Sequence, residues 1–304
     1  MNMVSIFRFS ILLAIPVFAQ TNMSVNWAKV KLDQSYLRSE WIPNQSELFL
    51  SNDNHSACDI LDIINDELIS FPLLEINAFG AKWSPDGNQL LILQIKYQNK
   101  RRLNSLIIVD RNGNFVKTIV GYTTKKITPI GWSSMNSAHY LLNKKLHSHS
   151  IKESMIEWSY PVIYAIGNKL FKKENVSPAI LLREFSSNLL NITTSYTSSL
   201  VAFEEYGGHL WVTDPSTGLI KEIGPGNAPS ISPNGDFILF MMLEDDGYEL
   251  TKGDIYYWNR KTDLITQLSF TDDRIEMNPS ISADGKFISA TTYPDGQLLI
   301  GTIR

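Results

Sequence analysis

At 304 residues, 43% of them hydrophobic and 19% charged, the chain is long and apolar enough to bury one large core. Its net charge of -4 excludes a broad basic surface, so no nucleic-acid partner is expected. A lone cysteine, Cys58, excludes an intramolecular disulfide, so stability must come from packing.

Residues 1–19 differ from the rest: Arg8 stands near the start, an apolar run follows from Ser10 to Ala19, and the small residues Val17 and Ala19 precede Gln20. This is the pattern of a signal peptide cut near Gln20. The run is too short to span a bilayer, and no cysteine lies near the cut to carry a lipid. The expectation is therefore an exported chain, periplasmic or secreted, whose mature part has no transmembrane segment and forms a single domain over 20–304. Next comes Ser24 to Leu32, whose alternation predicts a strand.

From residue 41 onward one pattern recurs, an extended run, a tight turn and a second apolar run. Its clearest copies carry Ser84-Pro85-Asp86-Gly87, Ser232-Pro233-Asn234-Gly235 and Ser282-Ala283-Asp284-Gly285. In each, the Asx side chain can hold the turn and glycine can take a positive φ. Weaker copies are Trp41-Ile42-Pro43-Asn44-Gln45, Gly131-Trp132-Ser133 and Tyr196-Thr197-Ser198. Taken from positions 42, 84, 133, 197, 232 and 282, the spacing runs from 35 to 64 residues, the range of propeller blades. Six copies predict six blades. Over 134–195 there is one strand more than a blade can use, and two layouts stay open: an extra hairpin in the third blade, or replacement of its second strand by the Tyr164 segment. The last repeat offers only three strands, Pro279 to Ser282, Phe287 to Thr291 and Gln297 to Ile303. The strand at 24–32 can supply the fourth and close the ring.

These turns, with Gly253 to Trp258 as a third strand, Lys261-Thr262-Asp263 as a turn, Ile265 to Leu268 as a fourth strand and Asn278-Pro279-Ser280 as the entry to the next blade, resemble the TolB-like family of β-propellers built from WD-like Tol repeats. The resemblance covers roughly residues 40 to 304. It implies an all-β, six-bladed propeller of four-stranded antiparallel blades, without the α/β domain that full TolB proteins carry in front. It also implies that the segment before the motif reaches the mouth of the axial channel, which points to Glu276, Asn278 and Asn227 as binding residues for an envelope protein or peptide.

Local catalytic signatures are absent: no Gly-x-Ser-x-Gly elbow, no His-Glu-x-x-His, no phosphate loop. His147 and His149 would share one face of a strand, but nothing adjacent completes a metal set, and His55, His139 and His209 are scattered. The acidic turns Glu244-Asp245-Asp246-Gly247 and Asp272-Asp273-Arg274 lack calcium-loop spacing. Trp41, Trp83 and Trp132 recur at one repeat position and Trp211 and Trp258 at another, as packing between blades would require. The reading is a monomeric, non-catalytic binding module with no cofactor or metal. Its alternative is a secreted or periplasmic carbohydrate-active lyase or hydrolase with a metal or acid/base site at the channel mouth.

Overall fold

The structure is a computed structural model that describes residues 23–52, 55–72, 75–152 and 155–304; the predicted signal segment lies outside them. Alternating apolar and polar residues make strands throughout, and each strand buries one face against the next sheet. After β1 (Val25–Lys29), the first sheet is β2 (Arg38–Trp41), β3 (Glu47–Ser51), β4 (Cys58–Asp62) and β5 (Glu67–Ser70). The second is β6 (Ile76–Trp83), β7 (Gln89–Gln98), β8 (Arg101–Asp110) and β9 (Phe115–Thr123). Two three-stranded sheets follow: β10 (Ile127–Ser134), β11 (Ser137–Leu142) and β12 (Lys145–Ser150), then β13 (Val162–Ile166), β14 (Lys169–Lys173) and β15 (Ile180–Glu184). The fifth sheet is β16 (Leu189–Thr194), β17 (Val201–Glu205), β18 (His209–Asp214) and β19 (Leu219–Pro225). The sixth is β20 (Asn227–Ile231), β21 (Phe237–Asp245), β22 (Leu250–Asn259) and β23 (Leu264–Gln267). The last comprises β24 (Ile275–Ile281), β25 (Phe287–Tyr293) and β26 (Leu298–Ile303), with β1 paired along β26 as its outer strand.

The propeller thus has seven blades, which corrects the six expected from the motif, and two of the seven have three strands rather than four. The reason lies in the fourth blade. The amides of Ser159 and Tyr160 donate to the Ser133 carbonyl at the end of β10, and β13 starts there; its far end, Gly167, accepts the Leu189 amide that opens β16. So β13 runs opposite to the inner strands on either side. It is a second strand placed innermost, and a blade without a first strand has no turn between first and second strands to carry the motif. The third blade in turn lacks its outermost strand, because the chain leaves β12 directly for β13.

Each intact turn is held in the same way. Ser84 Oγ donates to Asp86 Oδ1 at 2.6 Å and accepts the Gln89 amide at 3.0 Å. Ser232 does so with Asn234 and Phe237 at 2.9 and 3.0 Å, and Ser282 with Asp284 and Phe287 at 2.7 and 2.9 Å. Pro85 and Pro233 supply the fixed φ of the turn's second position. The turn serine of the fifth blade is Ser195, whose amide donates to Leu200, two residues before the position read from the sequence. Between blades lie apolar layers such as Phe49, Trp83 and Leu90, or Leu239, Ile255 and Ile288. All five repeat-position tryptophans are buried. Cys58 is buried too, and burial together with nearby Asp59 pushes its thiol up to about 12, which makes it inert.

Gly87 and Gly285 have φ of 71° and 73°, but their surroundings differ. A Cβ on Gly87 would overlap the Pro43 carbonyl oxygen of the neighbouring turn, whereas one on Gly285 would meet only Pro233 Cδ at 3.8 Å. Gly285→Ala should therefore lose about 1 kcal/mol from backbone conformation alone. Gly87→Ala should lose at least about 3 kcal/mol, because backbone must shift as well. Thermal melts of the two variants separate the cases; equal losses would mean that the first two turns do not abut.

Candidate docking face

Every motif-bearing inner strand ends in its turn on one side of the ring, here the motif face. The turns between second and third strands, and the links from blade to blade except that from the third to the fourth, lie on the opposite side, the hairpin face. The motif residues Ser84, Pro85, Asp86, Gly87, Ser232, Pro233, Asn234, Gly235, Ser282, Asp284 and Gly285 are all committed to turns on the first face. Burial pushes the Asp86 carboxyl up, but donors on Ser84 and Asn88 outweigh it and hold it below the usual range.

Glu276, Asn278 and Asn227 lie toward the hairpin face, on the inner strands, and serve as joints. Glu276 is 1% exposed, and its carboxylate accepts from Ser269 Oγ at 3.0 Å, Thr271 Oγ1 at 2.7 Å and Arg274 Nε at 2.8 Å. It fixes the link into the seventh blade from within. Asn278 donates to the Leu37 carbonyl at 2.9 Å, bridging the seventh blade to the first. Asn227 donates to Glu204 at 2.9 Å, and the same buried carboxylate accepts the Ala228 amide and the Asn191 side chain, joining the fifth blade to the sixth. Asn278, with φ of 52°, belongs to a recurring bulge four residues before the turn serine. Gly80, Asn191 and Ala228 hold the same place at 74°, 47° and 50°. Such a bulge re-aims the start of the strand, and glycine and asparagine tolerate it best.

Inside the ring, alternate residues of the inner strands face the channel. Lys82 Nζ reaches from the second blade to the Ile192 carbonyl of the fifth at 3.0 Å, so the channel is crossed at that level. Burial holds the Lys82 ammonium below its ordinary range, with Glu40 opposing and Arg38 adding to the effect. Beside it Tyr196 accepts the Trp132 amide and lies against Tyr160. Burial raises the Tyr196 hydroxyl well above the usual phenol value. These groups tie opposite walls together.

The hairpin face is where apolar rings meet solvent. Of the eight exposed aromatic residues among those described, Phe115 alone belongs to the motif face. Tyr97, Tyr206, Tyr248 and Tyr293 lie at or beside the turns between second and third strands, Tyr122 and Phe270 at links between blades, and Phe79 in the bulge of β6 against His55. Tyr248 is 95% exposed and Phe270 76%. The sequence reading passed over them, although one signal was present. β7 with β8, and β21 with β22, are ten- and nine- to ten-residue strands, too long for the blade height of their neighbours, so their ends project and carry a tyrosine each.

The histidines do not gather. His139 is fully buried in the third blade, with Nε2 at 2.8 Å from Ser133 Oγ and Nδ1 at 2.9 Å from Ser148 Oγ. His147 stacks on Tyr140, His55 lies at the hairpin face, and His209 pairs with Glu222. Among the described residues no three His, Cys, Asp or Glu side chains are placed to hold a metal ion, and no helix is long and apolar enough to cross a membrane.

Neither a family model nor a curated protein matches the sequence. Solved structures do share the fold. The β-propeller domain of Cps50 (Swd1) from Myceliophteria thermophila overlays with a TM-score of 0.62 at 10% identity, over 92% of this chain and 100% of that one. A chain of the mitotic checkpoint complex overlays with a TM-score of 0.62 at 13% identity, over 99% and 98%. An oligogalacturonate lyase in complex with manganese aligns at 0.49 with 11% identity, over 90% and 79%, too loosely to bear on function. At these identities the overlays establish the class of fold, a β-propeller, and nothing finer.

Burial, with Lys173 adding to it, pulls the His139 pKa from 6.5 down to about 3. Below pH 6.5 the unfolded chain binds a proton that the folded chain refuses, so stability falls as pH falls, by about 2 kcal/mol at pH 5. Above pH 6.5 this contribution vanishes. In His139→Gln the difference in melting temperature between pH 7 and pH 5 should shrink; an unchanged difference would place the acid sensitivity elsewhere.

Proposed function

We propose that this chain is a non-catalytic module that holds a protein or peptide on its hairpin face. The carrying observation is the segregation of exposed aromatic rings to that face, since Tyr and Phe are enriched where partners bury surface. One of the propellers it overlays belongs to a multiprotein assembly, the mitotic checkpoint complex, which is in keeping with this reading. The leader-like segment before Gln20 and the TolB-like turns support a site of action outside the cytoplasm, with an envelope or secreted partner.

Photo-cross-linking residues placed singly at positions 97, 248 and 270, and for comparison at 64, 115 and 219 on the motif face, test the reading in cells of the source organism. Adducts should form from the first set and not the second. Equal labelling from both faces, or labelling from the motif face alone, would sink it. In the same preparation, intact mass should place the mature N-terminus near Gln20; soluble protein that retains residues 1–19 would remove the case for export.

A further inference from the structure

The hairpin face is divided by charge. The projecting hairpin of the second blade carries Lys96, Lys100, Arg101 and Arg102 about its turn, with no acidic residue between 76 and 109 other than at its base turn. Beside it, on the same face, the link into the third blade and that blade's own turn add the exposed pairs Lys125-Lys126 and Lys144-Lys145. The projecting hairpin of the sixth blade carries the opposite sign, with Glu244, Asp245, Asp246 and Glu249 all exposed, and the link beyond it adds Asp272 and Asp273. The cations within the acidic sector are already engaged, Lys252 with Asp254 at 3.5 Å and Arg274 with Glu276 at 2.8 Å. Glu75, at the entry to the second blade, is the acidic exception near the basic sector. None of the charges at the two hairpin ends takes part in an ion pair among the described residues.

The two arms stand on opposite sides of the ring, three blades apart one way and four the other, with the channel between them. Both are internally braced. The strands of the second-blade arm pair to the tip, Gln98 with Arg101, and Asn99 and Lys100 take the left-handed conformation of a two-residue turn. In the sixth-blade arm pairing runs to Asp245 with Leu250, and the Asp246 carboxylate accepts the Tyr248 and Glu249 amides across the loop. A partner of uniform charge would be drawn to one arm and repelled by the other. A surface that satisfies both must present the two signs at the same separation, and this chain's own hairpin face does so. Two copies related by a two-fold axis in the plane of contact place each basic arm on the acidic arm of the other, and they bury Tyr97 and Tyr248 at the centre of each contact.

Resting on the assignment of the hairpin face as the docking face, we propose that its occupant is a second copy of this chain, met face to face. Sedimentation velocity of the full chain at about 0.05 M and about 0.5 M salt reads the assembly state across a severalfold change in screening length. A dimer is expected at low salt and a monomer at high salt. The reversals Lys100→Glu/Arg101→Glu/Arg102→Glu and Glu244→Lys/Asp245→Lys/Asp246→Lys should each shift the dimer midpoint by more than about tenfold toward monomer. Their equimolar mixture should restore the dimer, because both contacts are again between unlike charges. Melting temperatures close to that of the unaltered chain check that each variant folds. A chain that is monomeric at low salt, a dimer indifferent to either reversal, or a mixture that stays monomeric overturns the proposal. If the chain is monomeric yet cross-links to a different protein from positions 97 and 248, self-association fails while docking at this face stands.

Discussion

One hydroxyl in each intact repeat sets the geometry of the inner strands. In the intact repeats the serine Oγ both accepts the first amide of the second strand and donates to the Asx side chain two residues on, so the turn and the register of the two inner strands are fixed together. A slip of one residue would send every inner-strand side chain to the wrong side, placing Arg38, Glu40 and Lys82 in the apolar layer and Trp41 and Trp83 in the channel. Neighbouring turns then lean on one another. Asn44 and Gln45 donate to the carbonyls of Pro85 and Asp86, and Thr197 donates to that of Pro233 at 2.6 Å. At these two junctions the motif face is held by side chains that reach the neighbouring turn's backbone, which leaves little of it free to vary there.

The other side is the variable one, where hairpin length, ring exposure and charge differ from blade to blade. The projecting strands of the second and sixth blades cost little to the ring, because the extra residues pair only with each other. Their charged ends lie outside the packed layers, so charge there adds little to stability.

The repeat was legible because its turn has a strict chemistry, with proline, an Asx residue and glycine each answering a conformational need at a fixed place. The fourth blade was not, because β13 enters the ring in the reverse sense and brings no such turn; the surplus strand noted over 134–195 was its trace. Glu276 was expected, from the resemblance, as a binding residue at the channel mouth. Its burial depends on Ser269, Thr271 and Arg274 folding back over it, and only Arg274, two residues away, hints at that. The aromatic face was illegible for a further reason. Tyr97 sits in a run that looks like ordinary strand and Tyr248 beside an acidic turn, and which end of a hairpin rises above the ring depends on blade height, a property of the assembled fold.

Pairing of β1 with β26 brings Val25 against Ile303 and so joins the two ends of the chain. At a synthesis rate of about 5–20 residues per second, β1 waits on the order of tens of seconds for its neighbour to exist. Until then the final sheet has only its outer strand, and the other blades can form no more than an open arc with apolar flanks at each end. The nascent chain cannot latch early. The ring therefore closes only after the last strand has emerged, so closure is the final step of assembly whatever order the other blades take.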